Sequence, residues 1–460
     1  MKVPITQHSN RIMIIVCFLV AAMVFGYVPA RSQNIKSSSN IPQPELGKLK
    51  DLPVAPESQR VDIKRPTFSN PTKITHPLFP VKDGSQTILL GNADGRPLQV
   101  TYTTLPESQN RTIIWDGKKI ETRTVQYVAH MDRRLVEYAL DWYAQADDGS
   151  VWYFGEDVFN YEDGQVADTH GTWLAGKDGP PAMIMPADPK PGNVYRVENI
   201  PGKAFEEVEV KTVNATVEGP LRSVTGCMIG RQLHDNGSYS DKTFCPGIGE
   251  FFTAKDLDLE TVAISVPTDA LPGPLPAELA DITAGALGTY DAAEGRDGRT
   301  AEDKFKALKS SWNSLRGRGQ VSTLLATQMD RALRYLEGDV LEPALLHKHT
   351  IGTQNGAIDV ALASLDLELR YRQPSEVDGD RLAVFARKTL IDAKALEHGL
   401  VLSDVRTLEL IRDRLGHTLE KAKSNRLNSL IKDMRTSADA EDFEKVSSGA
   451  KHLLAAFKRP

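Results

Sequence analysis

The hydrophobic residues of this chain change their period once, and that change divides the sequence into two kinds of domain. Residues 66–266 contain short runs in which apolar and polar residues alternate, such as QTILL, RTIIW, SVWYFGE and ETVAISV. In residues 301–460 the apolar residues recur at every third or fourth position. A period of two is typical of strands, and a period near 3.6 is typical of amphipathic helices. We therefore expect a multidomain chain with an antiparallel β-rich domain followed by an all-α helical bundle.

Asx-Gly dipeptides separate the alternating runs. They occur at Asp116-Gly117, Asp148-Gly149, Asp163-Gly164 and Asn236-Gly237. Glycine adopts the positive φ angles of tight hairpin turns without a Cβ clash. The runs are also rich in Val, Ile, Thr, Tyr and Trp, which favour strands. This pattern predicts an antiparallel meander of about nine or ten strands in a curved or barrel-like sheet, which would bury one face and limit exposed edges.

The helical period predicts an antiparallel bundle of about five or six helices in residues 301–460. Ser403 and Asp404 have side chains that commonly begin a helix as N-cap residues. Between the two domains, residues 267–300 contain the proline-rich PTDALPGPLPAEL and the glycine-rich GTYDAAEGRDGRT. We expect this stretch to be a linker with a short helix near residues 277–284 and few contacts across it.

The N-terminus has the features of a secretory signal. Lys2 and Arg11 precede an apolar run at residues 12–28, and Ala30 follows it as a small residue suited to cleavage. The run is also just long enough to remain as a membrane anchor, so residues 1–30 are either a signal peptide or an anchor. Both outcomes predict an extracytoplasmic protein that is secreted, periplasmic or held on the outer face of the membrane.

Residues 31–65 are rich in Ser, Asn, Pro and Lys and predict a flexible stalk.

The composition and motifs of the chain also argue against several classes of function. The formal net charge of -6 argues against a nucleic-acid partner, and the membrane would be reached only through an uncleaved N-terminal segment. The sequence lacks the G-x-S-x-G, H-E-x-x-H, C-x-x-C, Walker A and G-x-G-x-x-G motifs, so no cofactor is expected.

Cys227 and Cys245 are the two cysteines that follow the signal segment, and they predict one disulfide in an exported chain. The intervening HDNGS predicts a three-residue hairpin loop with Gly237 in the left-handed conformation. That register places the two cysteines opposite each other on neighbouring strands, where Cβ atoms lie ~4.5–5.5 Å apart. The alternatives are a pair of buried thiols on one face, or a two-residue turn at Asn236-Gly237 that shifts the register by one residue.

Residues 151–179 combine many aromatic and acidic side chains. We interpret the aromatic rings as packed in the sheet and the carboxylates from Glu156 to Asp163 as a solvated acidic loop. The alternative is a hydrolase that uses acidic residues between Glu156 and Asp168, because glycoside hydrolysis requires two carboxylates on either side of the sugar.

A ligand site in the β domain would use the aromatic and charged residues of two nearby stretches. The candidate contacts are Trp152, Tyr153, Glu156, Trp173, Tyr195, Arg196 and Glu198. For Arg196, a structural ion pair is the alternative to binding an anionic ligand.

The helical domain contains four candidate metal ligands, which are His347, His349, Asp413 and His417. The first two could offer a pair of imidazoles. The last two are four residues apart, so they would share one face of a helix, and Asp359 or Asp366 could complete a site between helices. A solvated surface cluster and a helix-surface hydrogen bond are the respective alternatives.

The motifs WYFGE, GxW, MPAxPxxGxxYRxE and PGxGE in residues 66–252 resemble a family of uncharacterised exported bacterial proteins. The helical segment is similar to a module of unknown function in comparable bacterial proteins. The resemblance implies bacterial origin and export, and it brings no activity or catalytic residue. The sequence therefore predicts a cell-envelope protein whose β domain binds a ligand or an envelope partner and whose helical domain docks or oligomerises. A hydrolase and a metal-binding helical bundle remain the alternatives.

Overall fold

The structure is a computed structural model, and it describes the chain from residue 52 to residue 457 with a few gaps. The gaps are residues 94, 201, 220–221, 256–259, 267–269 and 341–346, and the side chains of 254–269 and 341–349 are also outside the described set. The predicted signal or anchor at residues 1–30 lies outside the described residues, as does the predicted stalk up to residue 51. Among the described helices, none has the length and apolar character needed to cross a membrane.

The β domain forms one antiparallel sheet, which has fifteen strands in the described part of the chain. The strands are β1 (Gln86–Ala93), β2 (Arg96–Thr104), β3 (Arg111–Trp115), β4 (Lys118–Met131), β5 (Arg134–Gln145), β6 (Val151–Glu162), β7 (Gln165–Asp168), β8 (Trp173–Leu174), β9 (Ala182–Met185), β10 (Val194–Ile200), β11 (Ala204–Glu218), β12 (Ser223–His234), β13 (Tyr239–Cys245), β14 (Gly249–Lys255) and β15 (Glu260–Val266). Their order is β10-β11-β12-β13-β14-β15-β1-β2-β4-β5-β6-β7, while β3 pairs with β4 and both β8 and β9 pair with β6. The first and last strands of the domain, β1 and β15, are therefore neighbours.

The sheet is curved around a filled interior, and its strand order is open. One buried apolar cluster contains Tyr153 of β6 together with Tyr195 of β10 and Val208 of β11, so it joins both ends of the strand order. A second cluster, which includes Leu89 and Cys227, fills another part of the domain interior. The predicted antiparallel β domain is confirmed, with a curved sheet rather than a closed barrel.

The predicted hairpin around Asn236 and the disulfide are both confirmed. The His234 amide donates to the Ser238 carbonyl at 3.0 Å, which closes the predicted three-residue loop. Gly237 has a φ of 81°. The same register continues along β12 and β13, and it places Cys227 opposite Cys245 with their Cα atoms 4.2 Å apart and their sulfurs bonded.

Eight helices follow the sheet in the described residues. They are α1 (Ala277–Glu294), α2 (Gly298–Gly317), α3 (Thr323–Val340), α4 (His347–Glu368), α5 (Pro374–Lys394), α6 (His398–Leu415), α7 (Lys421–Asp439) and α8 (Phe443–Phe457). Helix α7 was not predicted from the sequence, because its buried residues are sparse: Leu427, Ile431, Met434 and Ala438.

The prediction of a linker at residues 267–300 is wrong, because α1 occupies most of it. Leu279 and Ile282 of α1 are buried in the same core as Leu308 of α2. The glycines that suggested a linker allow this packing, since a Cβ at Gly285 would lie 2.8 Å from Cβ of Leu308. Helix α1 is therefore part of the helical core.

Two further boundaries differ from expectation. Helix α6 begins at His398, and the predicted N-cap residues Ser403 and Asp404 are buried inside it. Residues 52–65, predicted as the end of the stalk, pack on the sheet: the Ala55 amide donates to Glu207 at 2.7 Å and the Val61 amide donates to the Val194 carbonyl at 2.8 Å. Tertiary contacts that the local sequence does not encode fix both segments.

The helices cover the outer face of the sheet, so the two domains form one packed unit. Ile88 of β1 belongs to the main helical core, and Leu410 of α6 packs with Val128 and Tyr138 of the sheet. Buried hydrogen bonds cross the same interface: Arg381 of α5 donates to Gln86 at 2.6 Å. The curved sheet and the helices therefore hold a fixed relative position.

Candidate functional site

The sheet interior contains two buried carboxylates from opposite ends of the strand order. Glu156 of β6 and Glu198 of β10 are each 1% exposed, and the Trp173 indole N–H donates to Glu198 Oε1 at 3.0 Å. Glu156 Oε1 and Glu198 Oε2 have no N–H or O–H donor among the described residues. Two buried carboxyls that repel each other do not both ionise, so the pair retains a proton.

The pKa values of this pair are raised for a clear reason. Burial raises the pKa of the Glu156 carboxyl well above its ordinary value, and the charge of Glu198 raises it further. Burial also raises the pKa of Glu198, and the charge of Glu206 raises it further. The two carboxyls therefore titrate as a coupled pair, and the pair holds a proton more tightly than an isolated glutamate does.

A third buried carboxyl, Asp141 of β5, accepts a hydrogen bond from the Tyr153 hydroxyl at 3.0 Å. Burial raises the pKa of Asp141 to about 7, although hydrogen bonds from Tyr153 and Tyr143 lower it in part. The two tyrosine rings stack with centroids 4.8 Å apart. The sequence analysis missed Asp141, although a carboxylate within the apolar alternation of β5 was a usable signal.

Glu206, His234 and Ser240 continue the polar interior on β11, β12 and β13. His234 Nδ1 lies 2.8 Å from Glu206 Oε1, and its Nε2 lies 2.9 Å from Ser240 Oγ. A carboxylate, an imidazole and a hydroxyl in this order also make up an acid-base-nucleophile triad. Ser240 is only 4% exposed, however, so a substrate carbonyl does not reach its Oγ in this conformation. The three groups form an internal hydrogen-bond network.

The interior brings together several of the predicted ligand contacts. Tyr153, Glu156, Trp173 and Glu198 lie together, and Tyr195 is buried in the same apolar cluster. The interpretation of Glu156 as part of a solvated loop is wrong. It lies inside β6, where Gly155 (φ 117°) has no Cβ and lets the Trp173 carbonyl approach.

The other two predicted contacts have structural partners. The Trp152 indole N–H donates to Ser150 Oγ at 2.8 Å. Arg196 pairs with Glu207 at 3.1 Å, and its guanidinium group lies over the Phe205 ring. The geometry of Arg196 matches the alternative of a structural ion pair.

A cleft of about 710 Å³ lies between the sheet and α6. Its sheet side comes from the ends of β4, β5 and β6 and from β7, and its helical side comes from the first turns of α6. The side chains that line it include Arg96, Arg134, Tyr161, Glu162, Asp163, Asp168 and Glu397. This cleft was not predicted, because its two walls are far apart in the sequence.

Two glycines and a tyrosine fix the base of this cleft. Gly164, in the turn between β6 and β7, lies so close to α6 that a Cβ there would be 2.1 Å from the Gly399 carbonyl oxygen. A Cβ at Gly399 would likewise lie 2.7 Å from the Asp163 carbonyl oxygen. Arg406 of α6 donates to the Tyr161 hydroxyl at 2.9 Å. The Asp163-Gly164 turn predicted from the sequence therefore also positions the cleft.

The predicted metal site at Asp413 and His417 does not form. Asp413 accepts from Arg412 at 2.7 Å, and His417 lies in the turn after α6, which ends at Leu415. Asp359 pairs with Arg133, and Asp366 accepts from Arg381 at 2.7 Å. Within the described residues, no group of three or more His, Cys, Asp or Glu side chains could hold a metal ion. The side chains of His347 and His349 lie outside the described set, so that hypothesis stays a prediction.

The chain matches no family model and no curated protein.

Proposed function

We propose that this protein is an exported, non-enzymatic binding protein of the bacterial cell envelope, and that its ligand occupies the cleft between the sheet and α6. The observation that supports this proposal is the cleft itself, at about 710 Å³. Ligand sites are typically concave spaces of about 300–1,000 Å³ and often lie where domains meet. In this proposal the helical domain docks on the sheet of its own chain. Its helix α6 forms one wall of the site, and the sheet forms the other.

The charges of the cleft favour a ligand that carries both signs. Arg134 forms no ion pair among the described residues, and neither do Glu162, Asp163 and Glu397. Leu400 adds apolar surface. A short peptide, with an ammonium group at one end and a carboxylate at the other, matches these walls.

A hydrolase is the second candidate, because three carboxylates of the stretch predicted for it line the cleft. They are Glu162, Asp163 and Asp168. Glu156 and Glu198 are also carboxyl groups, but both are buried away from solvent. Hydrolysis in the cleft would therefore depend on the exposed carboxylates.

Export is supported by the disulfide between Cys227 and Cys245. Disulfides persist in oxidising compartments and are rare in the cytosol. Together with the N-terminal apolar segment in the sequence, the bond supports placement outside the cytoplasm.

Isothermal titration with tripeptides of defined charge tests the binding proposal. We expect saturable binding to the mature protein, and we expect Arg134→Ser and Glu397→Gln each to weaken it at least tenfold. Arg222→Ser, at an exposed arginine that does not line the cleft, is the matched control and should change nothing. Absence of binding, or equal binding by Arg134→Ser, rejects the proposal. Peptide cleavage that is lost in Glu162→Gln would instead favour the hydrolase.

A further inference from the structure

A second and smaller pocket opens in the β domain, away from the cleft. Its volume is about 80 Å³, and none of the residues that line it also lines the cleft. We propose that this pocket binds a small alkylammonium ion, with Glu250 as the counter-charge. This inference is independent of the function proposed for the cleft.

The walls of the pocket are aromatic and aliphatic. Phe79, Tyr102 and Tyr143 contribute rings, while Val125 and Ile248 contribute aliphatic surface. The Phe79 ring meets the Tyr143 ring edge to face with centroids 5.0 Å apart. Aromatic faces attract cations because the centre of the ring is electron-rich. The aliphatic wall provides a surface for an alkyl chain.

Glu250 of β14 supplies the negative charge. Its Oε1 accepts a hydrogen bond from the Thr253 hydroxyl, whereas its Oε2 is buried and has no donor among the side chains that the structure describes. A buried carboxylate oxygen without a donor is unfavourable, and an ammonium N–H is a donor that would satisfy it. The charge of Glu250 is also close to Tyr102: burial raises the pKa of that phenol, and Glu250 raises it further.

The size of the pocket limits the ligand to a few heavy atoms. A cavity needs roughly 10–15 Å³ of space open to a water-sized sphere to hold one water molecule. The pocket of about 80 Å³ therefore accommodates a small amine such as n-butylammonium and excludes a peptide or a sugar chain. A primary ammonium is preferred over a quaternary one, because the Glu250 oxygen requires an N–H donor.

Titration of the full-length mature protein with n-butylammonium and with butan-1-ol at pH 7 tests the proposal. The alcohol has the same alkyl chain and no charge. We expect saturable binding of the amine, with shifts confined to NMR signals of residues that line the pocket, and at least tenfold weaker binding of the alcohol. Equal affinity for the two compounds would show a merely apolar pocket and overturn the inference.

Glu250→Gln keeps the shape of the side chain, and we expect it to weaken amine binding at least tenfold. Glu107→Gln, at an exposed carboxylate outside the pocket, is the control and should bind the amine as the wild type does. Unchanged affinity in Glu250→Gln would also overturn the inference. If that variant does not fold, the amine-to-alcohol ratio of the wild type still decides the question. Arg134→Ser should leave amine binding unchanged, so the pocket and the cleft are tested separately.

Discussion

Arg414 of α6 donates two hydrogen bonds to Asp378 of α5, at 2.7 and 2.9 Å, and a third to Gln126 of β4 at 2.9 Å. Arg381 donates to the same carboxylate at 3.1 Å and to Gln86 of β1. One aspartate thus holds two arginines that connect the helices to the sheet. Although burial alone raises the pKa of Asp378, the charges of Arg414 and Arg381 lower it below its ordinary value.

Asp378→Ala should strongly destabilise the protein. It leaves the buried Arg414 guanidinium without a carboxylate and removes one of the two carboxylates that pair with Arg381, and removing one partner of a buried ion pair costs about 3–5 kcal/mol. Urea denaturation measures the loss. Asp291→Ala removes an exposed carboxylate that lies 3.8 Å from Arg387, and should cost less than about 0.5 kcal/mol. Equal losses in the two variants would mean that the buried network does not hold the interface.

The disulfide should contribute measurably to stability. Cys227 and Cys245 are 18 residues apart, and a loop of that size corresponds to about 3 kcal/mol in the chain-entropy description. Cys227→Ala combined with Cys245→Ala should lower the free energy of unfolding by up to that amount, and reductant should affect only the wild type. Two alkylated thiols in freshly exported, non-reduced wild-type protein would contradict the bond.

Local features of the sequence predicted the hairpin loop and the strands, because both depend on residues that are close together in the chain. The three-residue loop of Asp235, Asn236 and Gly237 set the register that brings Cys227 to Cys245, and the alternation of apolar residues identified the strands. The pairing of Glu156 with Glu198 could not be predicted, because β6 and β10 come together only when the sheet curves. The cleft was missed for the same reason, since it needs the docked position of α6. Long-range packing, rather than residue propensity, decides these features.

The stability of the protein should depend on pH through Asp141. Its pKa is about 7 in the folded protein, against an ordinary value of 3.8, so the folded state binds this proton more tightly than the unfolded state. The stabilisation is therefore full below about pH 4 and is lost as the pH rises toward about 7. Asp141→Asn should remove this part of the dependence.

Urea denaturation of wild type and Asp141→Asn at pH 4.5, 6 and 8 checks this. We expect the variant to gain stability relative to the wild type as the pH rises. Asp148→Asn, in an exposed turn, is the control and should follow the wild-type curve. A constant difference between wild type and Asp141→Asn at all three pH values would show that Asp141 does not titrate in this range.

Substitutions in two similar turns can distinguish the cost of backbone strain from the cost of a collision with α6. Gly117 and Gly164 have φ angles of 70° and 75°, and each follows an aspartate with φ near 50°. A Cβ at Gly117 would meet nothing within 4 Å, whereas one at Gly164 would collide with the Gly399 carbonyl oxygen and with Cβ of Leu402. The two positions therefore differ mainly in what lies beside them.

Gly117→Ala should cost about 1–2 kcal/mol, because alanine is strained at positive φ. Gly164→Ala has the same strain and must also move the β6–β7 turn away from α6, so we expect a larger loss of unfolding free energy. It should also weaken ligand binding in the cleft, since this turn forms part of the wall, while Gly117→Ala should leave binding intact. Denaturant unfolding and tripeptide titration of both variants provide the test. If the two variants lost equal stability and bound tripeptide equally well, the contact between Gly164 and α6 would not be what shapes the cleft.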